Sequence, residues 1–276
     1  MPSVLVTGAG RGIGRTIAEQ LAAHGWDVIA GVRSEADGAA LTAVDPQRIS
    51  AIILDVTDDG QIDALDEELP AQLDAVVNNA GIVMAGPMET LTSEQWRRQL
   101  DVNVVGQLAV TRAVLPRLRA SHGRVLFISS VNGRLSTPLI GAYAASKFAL
   151  EAAADALRME LKPWRIPVVL IEPAQTDTDM WRTAGTMVDD VEAALTPAER
   201  GLYGRHVTGM RKSVPISQRM AVAPEKVSDV VRAALTAKRP RARYVVGTGP
   251  RLQVALMTNL PARVRDRVLR TVMRQP

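Results

Sequence analysis

The stretch Ser3-Val4-Leu5-Val6-Thr7-Gly8-Ala9-Gly10-Arg11-Gly12-Ile13-Gly14 decides the fold. An apolar strand, Ser3 to Thr7, runs directly into four glycines, and an amphipathic helical pattern follows from Gly12 to about His24. Glycine lets the backbone turn sharply and approach a bulky anion closely. The helix N-terminus beyond it offers unpaired N–H groups and the positive end of a dipole. A glycine cluster alone is compatible with a tight turn. Between a strand and a helix it predicts a site for the pyrophosphate of a dinucleotide, with Gly8, Arg11, Gly12, Ile13 and Gly14 as cofactor contacts.

The same alternation continues along the chain. Apolar runs rich in Val, Ile and Leu occupy Asp27 to Val32, Arg48 to Asp55, Ala75 to Asn78, Arg124 to Ser129, Pro167 to Ile171 and Arg243 to Val246. Helical patterns fill Asp58 to Leu69, Ser93 to Arg119, Ala142 to Lys162 and Pro224 to Lys238. Near-continuous apolar strands fit a parallel sheet buried on both faces, and strand–helix alternation gives an α/β fold with one doubly wound parallel sheet, a Rossmann fold with helices on both faces. The predicted organisation is a catalytic domain over residues 1–246, with a substrate lid at about 176–223, and a basic C-terminal tail at 247–276.

Composition removes several function classes. The 276 residues contain no cysteine, so disulfides, cysteine-based zinc sites and thiol catalysis are excluded, and with only three histidines no metal site is expected. The formal net charge is +4, without a basic stripe interleaved with aromatics, so nucleic acid is not an expected partner. The beginning of the chain lacks a charged and then apolar leader pattern, and no apolar run reaches ~18 residues. The expected location is therefore cytoplasmic.

The second strand selects the cofactor. An acid near its end, about twenty residues past the glycines, would bind the ribose 2′-OH of NAD. Val32 stands there instead, followed by Arg33, and Arg11 lies within the turn. Two guanidinium groups suit a 2′-phosphate, because arginine contacts phosphate bidentately. NADP(H) is thus expected. In the alternative, Arg33 is a solvated loop residue, Glu35 or Asp37 supplies the acid, and NAD(H) is the cofactor.

Tyr143 and Lys147 are one helical turn apart and share a helix face. A free phenol has a pKa near ~10, and a nearby ammonium would lower it toward the range useful for acid/base work. By itself such a pair is also common on helix surfaces. In its context, the chain resembles a classical short-chain dehydrogenase/reductase over nearly its whole length to Val246. Thr7 to Gly14 is similar to the family's TGxxxGxG turn, Asp55-Val56 to its adenine-contacting pair, and Asn78-Asn79-Ala80-Gly81 to its NNAG signature. Asn103, Ser130, Tyr143 and Lys147 match the catalytic tetrad, and Pro173 to Thr178 the late PGxxxT segment, with Ala174 in place of glycine.

The resemblance implies a carbonyl/alcohol oxidoreductase. Ser130 would hold the substrate oxygen and Tyr143 would be the general acid/base. Lys147 would lower the tyrosine pKa and hold ribose hydroxyls, and Asn103 would anchor a relay water. Asp55, Val56, Asn79, Ala80, Gly81, Pro173, Thr176 and Thr178 would complete the cofactor site. Taken singly, Ser130 also reads as a strand-end cap and Asn103 as a helix-distorting polar residue.

The insert from Thr176 to Ala223 carries Met180, Trp181, Met187, Leu202, Tyr203, Met210 and Met220. Either these residues pack the lid onto the domain, or they line a pocket for a lipophilic substrate flanked by Trp181 and Tyr143. Glu172-Pro173 and the long tail resemble the retinol and hydroxysteroid dehydrogenase branch, which points to a lipophilic small-molecule alcohol or carbonyl. The tail, Arg251 to Arg274, reads as a basic amphipathic segment broken by Pro261. Such a segment can lie on an anionic membrane, and more often packs on its own domain or a sister subunit. By family resemblance a homodimer or homotetramer forms through the two longest helices. Alternatives to the enzyme are a non-catalytic NADP(H)-binding regulator, which has no chemical reason to keep the tetrad, and a nucleotide-sugar epimerase or dehydratase, which would need a larger C-terminal domain.

Overall fold

The computed structural model describes residues 1–178, 182 and 184–276. Its strands are β1 (Ser3–Thr7), β2 (Asp27–Val32), β3 (Ile49–Ile53), β4 (Ala75–Asn78), β5 (Arg124–Ile128), β6 (Val168–Glu172) and β7 (Arg243–Val245). They form one sheet in the order β3-β2-β1-β4-β5-β6-β7, and every neighbouring pair is parallel. The order reverses between β1 and β4, and at such a switch point the carboxyl ends of the strands open a crevice.

Side chains alternate between two buried layers, as the period of a strand requires. Val4 and Val6 face one core while Leu5 faces the other, and Val169 and Ile171 are likewise opposed to Val168 and Leu170. The first core is closed by α1 (Gly12–Ala23), α2 (Glu35–Thr42) and α9 (Pro224–Thr236), through residues such as Ile17, Leu41 and Val231. The second is closed by α3 (Asp59–Glu68), α5 (Gly106–Ser121) and α6 (Gly141–Glu160), through Ile62, Val114 and Leu150. With both faces covered, the near-continuous apolar strands of the sequence are explained.

Three elements differ from the expectation. The helix α2 was not anticipated, because its sequence EADGAALT carries little amphipathic signal; its start is set by the Ser34 hydroxyl, which accepts a hydrogen bond from Asp37 N–H. The expected single helix from Ser93 to Arg119 is instead α4 (Ser93–Leu100), a π turn over Asp101–Val105, and α5. Such π turns frequently mark functional positions, and this one contains Asn103. The insert and tail also hold regular structure: α7 (Ala184–Ala194), α8 (Pro197–Arg219), α10 (Thr248–Met257) and α11 (Ala262–Val272).

The insert is tied at its base. Asp177 N–H donates to Val222 O at 2.9 Å, and Val222 N–H donates to Gln175 O at 2.9 Å. Its helices then build a small core of their own, where Val188, Val207 and Met210 meet Leu139, with Met187 and Tyr203 packed against it. This favours packing as the role of Met187, Tyr203 and Met210. Leu202 and Met220 are exposed. Met180 and Trp181 lie outside the described residues.

Candidate active site

The glycine turn and the loop after β4 are stitched together. Thr7 is fully buried, and its hydroxyl accepts from the backbone N–H of both Asn79 and Ala80 at 3.0 Å. The Asn79 side chain returns two bonds, to Thr7 O and Gly8 O. Gly8 has φ +64°, and a Cβ at Gly14 would stand 2.3 Å from Gly8 O, so neither position admits a side chain without a shift. Beyond the turn, α1 begins with no side-chain cap on its N–H groups and no acid in its first turn. By contrast, Ser34, Asp58, Thr92 and Thr196 cap other helices. Among the described residues no side chain caps these donors, and with the close-packed glycines they fit a dinucleotide pyrophosphate. Thr178 reaches the same turn, where a Cβ added to Gly12 would stand 3.5 Å from its side chain.

At the adenosine end, Arg33 is exposed just past β2. Asp55 lies near it at the end of β3. Burial opposes the Asp55 charge, yet hydrogen bonds from Thr57 and the positive charges of Arg33 and Arg98 hold its carboxyl below the usual range. Asp37, on the first turn of α2, faces Gly10, where an added Cβ would stand 3.0 Å from its carboxylate oxygen. Both the basic group and the competing acid named in the sequence therefore border this end of the site.

The catalytic candidates converge beyond β5. Ser130 caps a short 3₁₀ turn, Val131–Gly133, accepting from Asn132 N–H at 3.1 Å. Its capping role and its presence in the site coexist, since its hydroxyl donates to Pro173 O at 3.4 Å and lies near enough to Tyr143 to favour the phenolate. The Pro173 carbonyl anchors this loop by accepting from Val131 N–H at 3.0 Å. Tyr143 is partly buried and Lys147 almost fully. The Lys147 ammonium donates to Ile128 O at 2.8 Å and stands 5.8 Å from the centre of the Tyr143 ring.

The electrostatics depart from expectation. Burial pushes the Tyr143 phenol up, against the smaller pull of the Ser130 hydrogen bond. Burial lowers the Lys147 ammonium to about 8, with the Glu151 carboxylate working in the opposite direction. Lys147 alone does not make the phenol acidic here, because desolvation outweighs a cation that is itself desolvated and held on a backbone carbonyl.

Asn103 is fully buried. It accepts from Ile82 N–H at 2.8 Å and donates to Ile82 O and Ser146 Oγ at 3.0 Å each. Its two amide hydrogens are thus engaged, which leaves a lone pair on Oδ1 for any relay water. Two neighbours share its work and were not singled out in the sequence. Gln99 accepts from Met84 N–H at 2.7 Å and donates to Ile82 O at 2.9 Å, and Gln107 donates to Ala80 O at 2.6 Å. All three amides are fully buried, and together they clamp residues 80–84 to α4, the π turn and α5. The spacing 99, 103, 107 is the signal that would have found them: polar amides at i, i+4 and i+8 on a face otherwise apolar.

A second missed group lies behind Lys147. Glu151, one turn further on α6, and Glu172, at the end of β6, are buried around Arg243 of β7, at 3.0 Å and 3.4 Å from its Nε. Arg134 stands 3.6 Å from the other oxygen of Glu172. These residues are far apart in sequence, and nothing in their local pattern announced the contact.

Comparison with known proteins places the chain in a family with this fold. The short chain dehydrogenase family profile matches residues 2–189. The chain is 33% identical over 278 residues to the NADPH-dependent 3-dehydrocapnine reductase of Ornithobacterium rhinotracheale, covering 97% of this chain and 96% of that one. It is 34% identical over 290 residues to retinol dehydrogenase 5 of Mus musculus, covering 99% and 89%. A crystal structure of a short-chain dehydrogenase from Streptomyces avermitilis superposes with a TM-score of 0.77 at 28% identity, covering 99% of this chain and 97% of that chain. The protein belongs to the short-chain dehydrogenase family and is an oxidoreductase of the CH–OH/carbonyl type that uses a nicotinamide cofactor.

Proposed function

We propose that the protein interconverts a lipophilic carbonyl compound and its primary or secondary alcohol with NADP(H), using Tyr143 as general acid/base. The observation that carries this reading is the convergence of Ser130, Tyr143 and Lys147, with Lys147 Nζ 3.9 Å from where a Cβ on Gly81 would stand, next to the Asn79–Ala80 backbone that meets the glycine turn. A bound nicotinamide supplies or accepts the hydride. The chain supplies the rest. The turn from Gly8 to Gly14, with Arg11 and Ile13, holds the pyrophosphate on the α1 N–H groups, and Asn79, Ala80 and Gly81 border the same cleft. Asp55 and Val56 face the adenine, and Pro173, Thr176 and Thr178 close the nicotinamide end.

Ser130 donates a hydrogen bond to the substrate oxygen, and Tyr143 Oη passes its proton to that oxygen in reduction or takes it back in oxidation. Burial keeps the phenol protonated in the free chain, which is the form that reduction requires. Lys147 would hold ribose hydroxyls, and its positive charge would favour the phenolate needed for oxidation. The lipophilic substrate is supported by the retinol for which one relative is named and by Met88, which is exposed and lies against Gly141, two residues before Tyr143. The dimer we propose uses the outer faces of the π turn, α5 and α6, where Val105 of the turn and Phe148 of α6 stay exposed in the single chain.

Turnover with NADPH against retinoids, steroids and simple ketones tests the reaction. A silent panel with tight NADPH binding would favour the regulator instead. The cofactor choice has its own test. Replacing Arg33 by aspartate removes one phosphate contact and adds a repelling charge, so NADPH preference over NADH should fall roughly ten- to hundred-fold in kcat/KM. An unchanged preference would overturn the assignment of Arg33 to the 2′-phosphate.

A further inference from the structure

The C-terminal helices carry charge and apolar surface that the reaction does not use. Residues 247–276 contain six arginines and one acid, Asp266, so the positive excess of the whole chain resides there. The helix α11 presents three distinct faces. Leu269 is buried against Leu135, Val254 and Met257, and this face fastens the helix to the domain. Val264, Val268 and Val272 form an i, i+4, i+8 row that is exposed, at 47%, 39% and 62%. Arg263, Arg267, Arg270 and Arg274 follow one another beside that row, and all are exposed. The preceding helix α10 repeats the arrangement, burying Val254 and Met257 while leaving Leu252 and Leu256 about 60% exposed.

We propose that the outward faces of α10 and α11 dock this enzyme onto an anionic lipid surface. An exposed aliphatic row flanked by arginines matches a bilayer boundary, where acyl chains accept the valines and acidic headgroups meet the guanidinium groups. A second copy of this chain is a poorer occupant. A two-fold interface places the same patch on both subunits, which would bring arginine rows with a single acid against each other.

The docked position has a consequence for the site. The apolar base of the tail touches Val131, the residue after Ser130, and Gln275 donates to His206 O of the lid helix α8. A lipid surface at α10 and α11 therefore lies beside the serine loop and the lid, where a membrane-dissolved substrate would arrive. That consequence rests on the lipophilic-substrate reading; the docking itself does not.

The test is co-sedimentation of the full chain with vesicles of phosphatidylcholine alone and with one-third phosphatidylglycerol, together with turnover of a water-soluble ketone. The wild-type chain should bind the anionic vesicles and leave the neutral ones, with binding weakened by salt. Val264→Asp with Val268→Asp should lose binding at least tenfold. Arg263→Gln, Arg267→Gln and Arg274→Gln should weaken it roughly fivefold per arginine. Both variants keep Leu269 in place, so their helix content and soluble-substrate turnover should match the wild type. Equal binding to both vesicle types, no binding to either, or binding indifferent to the valine changes would overturn the proposal. If the valine variant instead dissolved an oligomer that never bound vesicles, the patch would belong to a second copy. A failed substrate panel with intact vesicle binding would remove only the reading of the substrate.

Discussion

Replacing Tyr143 by phenylalanine is expected to reduce turnover by about 10²- to 10⁴-fold, the range a positioned acid/base contributes, while leaving NADPH affinity nearly intact. The ring remains, so its packing in α6 and the neighbouring Lys147 stay in place. What is lost is the proton that Tyr143 Oη passes to the substrate oxygen, which the hydrogen bond from Ser130 does not replace. Equilibrium binding of NADPH by fluorescence and single-turnover rates separate the two effects. Residual activity above a few per cent of wild type would contradict the mechanism. The pH profile carries a second check. Burial keeps the phenol protonated, so the reduction rate should be level through neutral pH and decline on the alkaline side. The Lys147 ammonium, lowered to about 8, is charged below that value and neutral above it, so its electrostatic support is lost in the same alkaline limb. A reduction rate that instead rose steadily from neutral to alkaline pH would require a different proton donor.

Most of the sheet was legible because its determinants are local. Short β-branched apolar runs such as Val4 to Val6 and Val168 to Ile171, bounded by turn residues, fit strands buried on both sides, and glycines at 8, 12 and 14 mark a turn whose backbone excludes side chains. Tyr143 and Lys147 were legible for the same reason, being one turn apart. What escaped is long-range or weakly patterned. The helix α2 has no apolar stripe, and its existence follows from Ser34 capping and from Leu41 reaching the core. The π turn at Asp101–Val105 leaves a helical pattern on either side, so only the demands of Asn103 and Gln107 on residues 80–82 reveal it. The direction of the tyrosine shift was missed because a sequence shows that a lysine is near, and does not show that both groups lose their water. Methionines in the insert read equally as pocket or packing, and only the contacts of Met210 with Leu139 and Val207 separate the two.

The buried charges behind Lys147 give the second large effect. Glu172 is fully buried, neither of its oxygens accepts a hydrogen bond from the described residues, and its carboxyl is pushed up to about 7 by burial and by the neighbouring Glu151 charge, against the pull of Arg134 and Arg243. Arg243 serves three carboxylates at once, those of Glu151, Glu172 and Asp155. Breaking a buried ion pair from one side is far costlier than exchanging the whole pair for apolar groups, because the surviving charge remains desolvated. Arg243→Met should therefore destabilise the fold by about 3–5 kcal/mol at neutral pH. The sign of its pH dependence follows from Glu172. A carboxyl whose folded pKa lies above its unfolded value of 4.5 binds more protons in the native state between 4.5 and about 7, so its stabilising contribution is complete below 4.5 and is lost as pH rises through 7. Without Arg243 that carboxyl is harder still to ionise, and the deficit of the variant should be small near about pH 5 and grow toward about pH 8. Denaturant titrations at the two pH values measure this. Combining Arg243→Met with Glu151→Gln and Glu172→Gln should recover a large part of the loss, since no uncompensated charge then remains at those two positions. A loss under about 1 kcal/mol, or one independent of pH, would mean that water reaches these carboxylates. The site should register the change as well. Glu151 stands one turn from Lys147, and Glu172 precedes the proline whose carbonyl anchors the Ser130 loop. A cluster that only stabilised the fold would leave kcat unchanged in the folded triple variant, whereas one that also positions Lys147 and Ser130 would lower kcat and move its alkaline limb.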